Sequence, residues 1–224
     1  MFRILVLILT VVLSGCATNS LTPKPITVND LNDAKGLFIG SFSRDPKAPK
    51  YYSQTFYLKN IETNEVHEIK SQPSFNMFTG KTPDDFNTQE SSGALFVQAL
   101  PAGKYTYHNF RLYQSNGYYE KNWYSEQDYS IPFEVSANQI NYAGEIKLVP
   151  VMGKNIFNMN IQAGGAWLIS DKLERDLPIF TTKYPQISTE NFVKVIPESK
   201  EIFTPLVILP AEQDQHNQLL NRTP

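Results

Sequence analysis

Cysteine is nearly missing from this 224-residue chain: Cys16 is the sole one, so no disulfide can form within the chain and a folded core alone must hold it together. Excess charge is missing as well. Twenty basic against twenty-two acidic residues leave a formal net charge of −2, which offers no general attraction to a phosphate backbone and excludes nucleic acid as an expected partner. The three histidines, His67, His108 and His216, form neither an H-E-x-x-H motif nor a Cys–His pair, so no zinc site is expected. Asp84, Asp85 and Glu90 lack the spaced oxygen ligands and fixed glycine of a calcium loop, and no other metal site is expected. The G-x-S-x-G elbow, the P-loop and the dinucleotide glycine fingerprint are absent too. No cofactor and no catalytic residue is therefore assigned, although His108 could still meet a distant acid, since Ser-His-Asp sites assemble without local motifs. Finally, the longest apolar run, Ile4 to Leu13 with Thr10 inside it, is too short for a spanning helix, which needs about twenty residues.

What is present begins at the amino terminus. Met1-Phe2-Arg3 gives a short positive start, the apolar run follows, and Ser14 and Gly15 are small, which together predict a secretory signal over residues 1–15. Leu13-Ser14-Gly15-Cys16 resembles the lipobox of bacterial lipoproteins. The resemblance implies cleavage before Cys16 and transfer of a diacylglyceryl group to its sulfur. Two or three acyl chains, at about 0.8 kcal/mol per buried methylene, anchor a protein to a bilayer durably. Ala17 is not the aspartate that retains lipoproteins at the inner membrane of Gram-negative bacteria, so the same resemblance implies an outer-membrane anchor facing the periplasm. Residues 16–29, polar and carrying Pro23 and Pro25, read as the lipidated terminus and an extended tether.

With 41% hydrophobic residues the remainder can bury a core, and residues 30–210 are expected to form one domain, followed by a loose polar tail over residues 211–224. Short alternating runs bounded by Gly, Pro, Asn and Ser predict a mainly β fold. The expected strands are Gly36 to Ser43, Thr55 to Ile61, Glu65 to Lys70, Ala94 to Leu100, Lys104 to Tyr113, Ile131 to Val135, Ile140 to Val149 and Ile156 to Ile161. Alternation places Ile140, Tyr142, Ile146 and Leu148 on a buried face, with Asn141, Glu145 and Lys147 toward solvent. Pro132 suggests an edge strand, and the change of phase between Tyr105-Tyr107 and Phe110-Leu112 predicts a bulge near His108-Asn109. Leu173, Leu177, Phe180 and Tyr184 recur at helical spacing after Ser170-Asp171, a credible cap, with Pro178 expected to break or bend the helix.

Leu100-Pro101-Ala102-Gly103-Lys104-Tyr105, followed by Phe133-Glu134-Val135 and Tyr142-Ala143-Gly144-Glu145-Ile146, resembles the carboxypeptidase-regulatory-like or transthyretin-like β-sandwiches. The resemblance covers about Leu95 to Val149. It implies a single Ig-like or prealbumin-like antiparallel sandwich with a short C-terminal helical segment, serving as a binding or structural module.

The stretch from Tyr113 to Tyr124, continuing to Tyr129, is rich in aromatic residues and holds an Asn116-Gly117 turn signal. Tyr118, Tyr119, Trp123 and Tyr124 are the candidate contacts for a ligand or partner, because flat rings with a polar edge suit protein surfaces and sugar rings alike. The same rings could equally cover one end of the sandwich. A second long connection, Ser71 to Ser92, carries Phe75, Met77 and Phe78, a further contact patch or packing against the domain. The sequence thus predicts a membrane-anchored, non-catalytic module of the bacterial cell envelope, acting in a protein assembly. Its alternatives are a glycan or peptidoglycan binder using the aromatic loop, and a cell-wall hydrolase.

Overall fold

The computed structural model describes residues 26–48, 51–71, 75–76, 80–81, 83–115, 120–125, 128, 130–197 and 207–208. Cys16 and its lipobox, the tether before residue 26, Met77, Phe78, Tyr118, Tyr119, Tyr129, His216 and the tail lie outside the described residues. The strands are β1 (Lys35–Arg44), β2 (Ser53–Asn60), β3 (Val66–Lys70), β4 (Phe75–Asn76), β5 (Gly80–Lys81), β6 (Phe86–Asn87), β7 (Ser92–Pro101), β8 (Gly103–Ser115), β9 (Glu120–Tyr124), β10 (Ile131–Val135), β11 (Ile140–Lys154), β12 (Asn160–Ser170), β13 (Phe192–Lys194) and β14 (Val207–Ile208). A single α-helix among the described residues, α1 (Leu173–Lys183), follows β12.

The fold is mainly β. A seven-stranded sheet runs β14-β12-β11-β1-β7-β6 with β13 also on β11, and a five-stranded sheet runs β10-β8-β2-β3 with β9 also on β8. They pack face to face over one core in which Phe38, Phe42, Ile146, Leu148 and Trp167 of the larger sheet meet Phe56, Leu58, Tyr105, Tyr107, Phe110 and Leu112 of the smaller. Trp167 is its centre, edge-on to Phe56 at 4.6 Å and to Phe110 at 5.6 Å between ring centroids. A second cluster lies on the opposite face of the larger sheet, where Phe180 of α1 covers Leu37, Ile39, Leu95, Ile140 and Tyr142.

That helix-covered face explains three departures from the sequence reading. First, the sandwich is not antiparallel throughout: β1 pairs with β11 in parallel, and so do β13 with β11 and β14 with β12. Local alternation carries no information on strand direction, but the unbroken run Leu37 to Ser43 is buried on both faces, as central strands of covered sheets are. Second, Asn141 and Glu145 are buried, not solvated: Glu145 lies on the face under the helix region, where it meets Arg175, and the Asn141 amide is held by the β10–β11 turn, accepting from Ser136 N at 2.8 Å and donating to the Ser136 and Gln139 carbonyls, both at 3.0 Å. A register shift in the β1–β11 ladder between Ile39 and Ser41, with Gly144 at φ 87°, makes a bulge. Ile140 and Tyr142 consequently face the helix, while Ile146 and Leu148 face the sandwich interior. Third, Pro178 neither ends nor splits α1. Asp176 and Phe180, both buried, anchor the helix on either side of the proline, which is itself exposed. Asp171 contributes at the start by accepting the Leu173 N–H at 3.0 Å, although Lys172 takes the N-cap position.

Two other expectations are met by the structure. The bulge at His108 is present as a shift in the β2–β8 register, and it returns Tyr105, Tyr107, Phe110 and Leu112 to the same core. β10 is an edge strand with Pro132 exposed between buried Ile131 and Phe133. The expected strand Ile156 to Ile161 is instead mainly a turn. Asn155 and Asn158 supply its chemistry, with Asn158 at φ 59°, and β12 starts only at Asn160. Since β1 ends opposite Leu148, the β11–β12 hairpin continues past the sheet as a two-stranded arm.

Candidate functional site

The outward face of the smaller sheet collects the aromatic and basic side chains left over by the core. Strand alternation puts Phe56, Phe110 and Leu112 inside and leaves Tyr57, Arg111 and Tyr113 outside. The ladders then set Lys70, Thr55, Arg111 and Tyr124 in one row across β3, β2, β8 and β9, with Ser53, Tyr113 and Asn122 in the next. Tyr57, two residues along from Thr55, completes the patch, and its phenol feels both the Arg111 charge and Tyr124. Partial burial raises the Tyr57 pKa, with Arg111 opposing and Glu68 adding to the rise. Tyr113 stands edge-on to Tyr52 at 5.5 Å, and its hydrogen bond to Glu120 raises its pKa. The patch is three tyrosines beside one arginine on the outward face of the smaller sheet.

The candidate residues from the sequence divide across this geometry. What reads as an aromatic loop is a hairpin whose strands pair Arg111 with Tyr124 and Ser115 with Glu120. Successive residues of β9 face opposite ways, so Tyr124 is 53% exposed on the outward face while Trp123 packs against the core. Trp123 is engaged on several sides: Tyr51 meets it edge-on at 5.3 Å and the Lys121 ammonium lies 4.8 Å from its ring centroid. Trp123 and Tyr124 therefore cannot serve one flat ligand together. Tyr57 and Arg111 were not singled out in the sequence, because only the ladder register brings them beside Tyr124.

Chemistry of the hydrolytic kind would need acids or a nucleophile free to react. The strongest acidic cluster lies between α1 and the larger sheet. Arg175 Nη1 donates to Glu145 Oε1 at 2.7 Å, its Nε and Nη2 donate to Asp176 Oδ1 at 2.8 and 2.7 Å, and its guanidinium sits 3.7 Å from the Phe86 ring centroid. Asp176 and Glu145 are 1% and 2% exposed. Burial would raise the Glu145 pKa, but the hydrogen bond and charge of Arg175 hold it below the ordinary carboxylate range. For Asp176 burial prevails over Arg175 and two hydroxyl donors, and the pKa is raised. Ser41 donates to Asp176 Oδ2 and accepts from Arg175, both at 2.8 Å, so its hydroxyl is held between these two side chains. His108 meets Asp128 at 3.4 Å on the surface, where Asn109 also donates to that carboxylate at 2.7 Å. Among the described residues no three His, Cys, Asp or Glu side chains are grouped to hold a metal ion.

No family model and no curated protein matches the chain. Two solved structures bear a slight likeness. A leucine-rich repeat protein from Bacteroides thetaiotaomicron is 13% identical with a TM-score of 0.31, over 51% of this chain and 14% of that one. A protein from Parabacteroides distasonis whose name assigns it to cell adhesion is 9% identical with a TM-score of 0.26, over 64% of this chain and 38% of that one. This chain thus spans well under half the length of either, and likenesses at these scores define neither its fold family nor its role.

Proposed function

We propose that this chain is a lipid-anchored bacterial envelope protein without catalytic activity, whose outward Tyr57–Arg111–Tyr113–Tyr124 face docks an envelope protein. The placement of those four side chains on three adjacent strands carries the reading, since Tyr and Arg are the residue types that dominate binding energy at protein interfaces. A sheet face suits the task because its side chains are fixed by the ladder and lose little freedom on docking. Cys16 supplies the anchor, and its acylation would hold the module at the periplasmic side of the outer membrane. No helix among the described residues is long and apolar enough to cross a membrane. Gly103 at φ 149° makes the Pro101-Ala102-Gly103 turn that leads Tyr105 into β8, which supports reading the sandwich as Ig-like or prealbumin-like. The glycan alternative is weaker, because Trp123 is already engaged by Lys121 and Tyr51.

The test is crosslinking and affinity purification of the lipidated protein from its own membranes, beside Arg111→Ala/Tyr124→Ala and Cys16→Ser chains. A stoichiometric partner captured by the parent and lost with the double substitution is the expected result. Capture unaffected by that substitution would remove the face from the proposal, and a Cys16→Ser chain that stays membrane-bound would remove the anchor.

A further inference from the structure

The arm formed by β11 and β12 ends in the most exposed apolar side chains of the described residues: Ile156 is 93% and Phe157 72% exposed, and Met152, Met159 and Ile161 beside them are exposed as well. None of the described residues buries Ile156 or Phe157. Soluble domains seldom present such a cluster on one hairpin tip, and neither the core nor the Tyr–Arg face accounts for it.

We propose that the tip at Ile156-Phe157 inserts into the headgroup and upper acyl region of an anionic lipid bilayer. Two features favour lipid over a protein partner. Charge is the first: Lys154 is the sole charged residue from Leu148 through Ser170, and no acidic residue occurs from Ile146 through Ser170, although the whole chain is net negative. An apolar tip with one lysine at its collar matches a bilayer whose interior is hydrocarbon and whose surface is anionic.

Hydrogen bonding is the second. A loop can enter hydrocarbon only if its backbone donors are satisfied internally. Here the Asn155 side-chain oxygen accepts from Phe157 N at 2.9 Å and Met159 N at 3.0 Å, Asn155 N donates to Met159 O at 3.0 Å, and Asn158 N donates to Asn155 O at 2.9 Å. These bonds pair the backbone donors of Asn155, Phe157, Asn158 and Met159 within the turn, whose apolar side chains are left exposed. The inference goes beyond the docking face, which lies on the other sheet, and it does not require Cys16 to be acylated.

The test uses full-length protein reconstituted into phosphatidylethanolamine–phosphatidylglycerol vesicles, carrying Phe157→Trp or, as a control at an exposed position on β3, Val66→Trp, with lipids brominated along the acyl chain. Bromine is expected to reduce the emission from Phe157→Trp by about twofold while leaving the Val66→Trp signal at the parental level, and replacing the anionic lipid with phosphatidylcholine should weaken the effect. The same quenching in a Cys16→Ser chain separates the tip from the anchor. No quenching at position 157 overturns the inference, as does equal quenching at both positions, which would report tethering alone. A shift of Phe157→Trp emission by an envelope protein fraction without lipid would overturn it in favour of a protein site.

Discussion

The Tyr142 hydroxyl donates to Asp176 Oδ2 at 2.9 Å and accepts the backbone N–H of Lys172 at 3.2 Å, so one side chain of β11 holds both the start of α1 and its only buried carboxylate. The bulge at Gly144 keeps Tyr142 and Glu145 on the same side of the sheet, so Tyr142 meets Asp176 while Glu145 meets the neighbouring Arg175.

Truncation at this joint leaves charge stranded. Arg175→Met removes the partner of both Glu145 and Asp176 and is expected to cost about 3–5 kcal/mol of unfolding free energy in urea titrations. Replacing all three residues by apolar ones of similar volume should recover most of that loss; a triple variant as unstable as the single one would contradict this account of the joint.

The two acids should act oppositely on acidification. Glu145 has its pKa lowered in the fold, so its contribution is present above the usual carboxylate pKa and is lost as pH falls through the lowered value. Asp176 has its pKa raised, so folding gains as pH falls from neutral through that raised value. Urea midpoints measured from neutral to acid should therefore fall less steeply at low pH for Glu145→Gln than for the parent.

Gly144→Ala is expected to destabilise by about 2–3 kcal/mol, combining the positive φ with a new Cβ placed 2.7 Å from the Ser170 carbonyl oxygen. Gly153→Ala, at ordinary φ on the arm and 3.1 Å from the Ala163 Cβ, should cost clearly less in the same thermal melts.

Neighbours on β9 should separate stability from binding. Trp123→Ala should lose about 2–4 kcal/mol, since its ring packs on the core and on Tyr51. Tyr124→Ala should change stability by only about 0.5 kcal/mol yet reduce partner capture.

Raised phenol pKa values predict alkaline unfolding. Burial lifts Tyr51 to about 12, and Tyr107 and Tyr142 higher still. Their stabilisation is complete below the ordinary phenol value near 10 and is lost as pH rises through the folded values. Phenolate absorbance should therefore rise together with loss of tertiary circular dichroism.

Most strands were legible in the sequence because two-residue alternation is a local signal: Ile131–Val135 follows it without interruption. The bulge at His108 was legible for the same reason, as an audible change of phase within one strand. The bulge at Gly144 was not, because Ile140, Tyr142, Ile146 and Leu148 keep an even spacing that hides the switch of faces. Only the parallel neighbour β1 and the helix beyond it reveal that Asn141 and Glu145 are enclosed. The Tyr–Arg face proposed for docking was half legible. Tyr124 stood out in an aromatic segment, whereas Tyr57 and Arg111 belong to it through pairings between residues far apart in the chain.

The pairing of Leu37 with Ile140 and of Arg44 with Leu148 has a consequence for the timing of assembly. One of the two neighbours of the central strand of the larger sheet, β11, lies roughly a hundred residues downstream, and contacts of such long sequence separation slow folding. A chain emerging in order from a ribosome or a translocation pore has its first strand exposed while most of the rest is still to come. Premature compaction around the first strand is thereby discouraged by the topology itself, and the larger sheet can close only once most of the chain has been made.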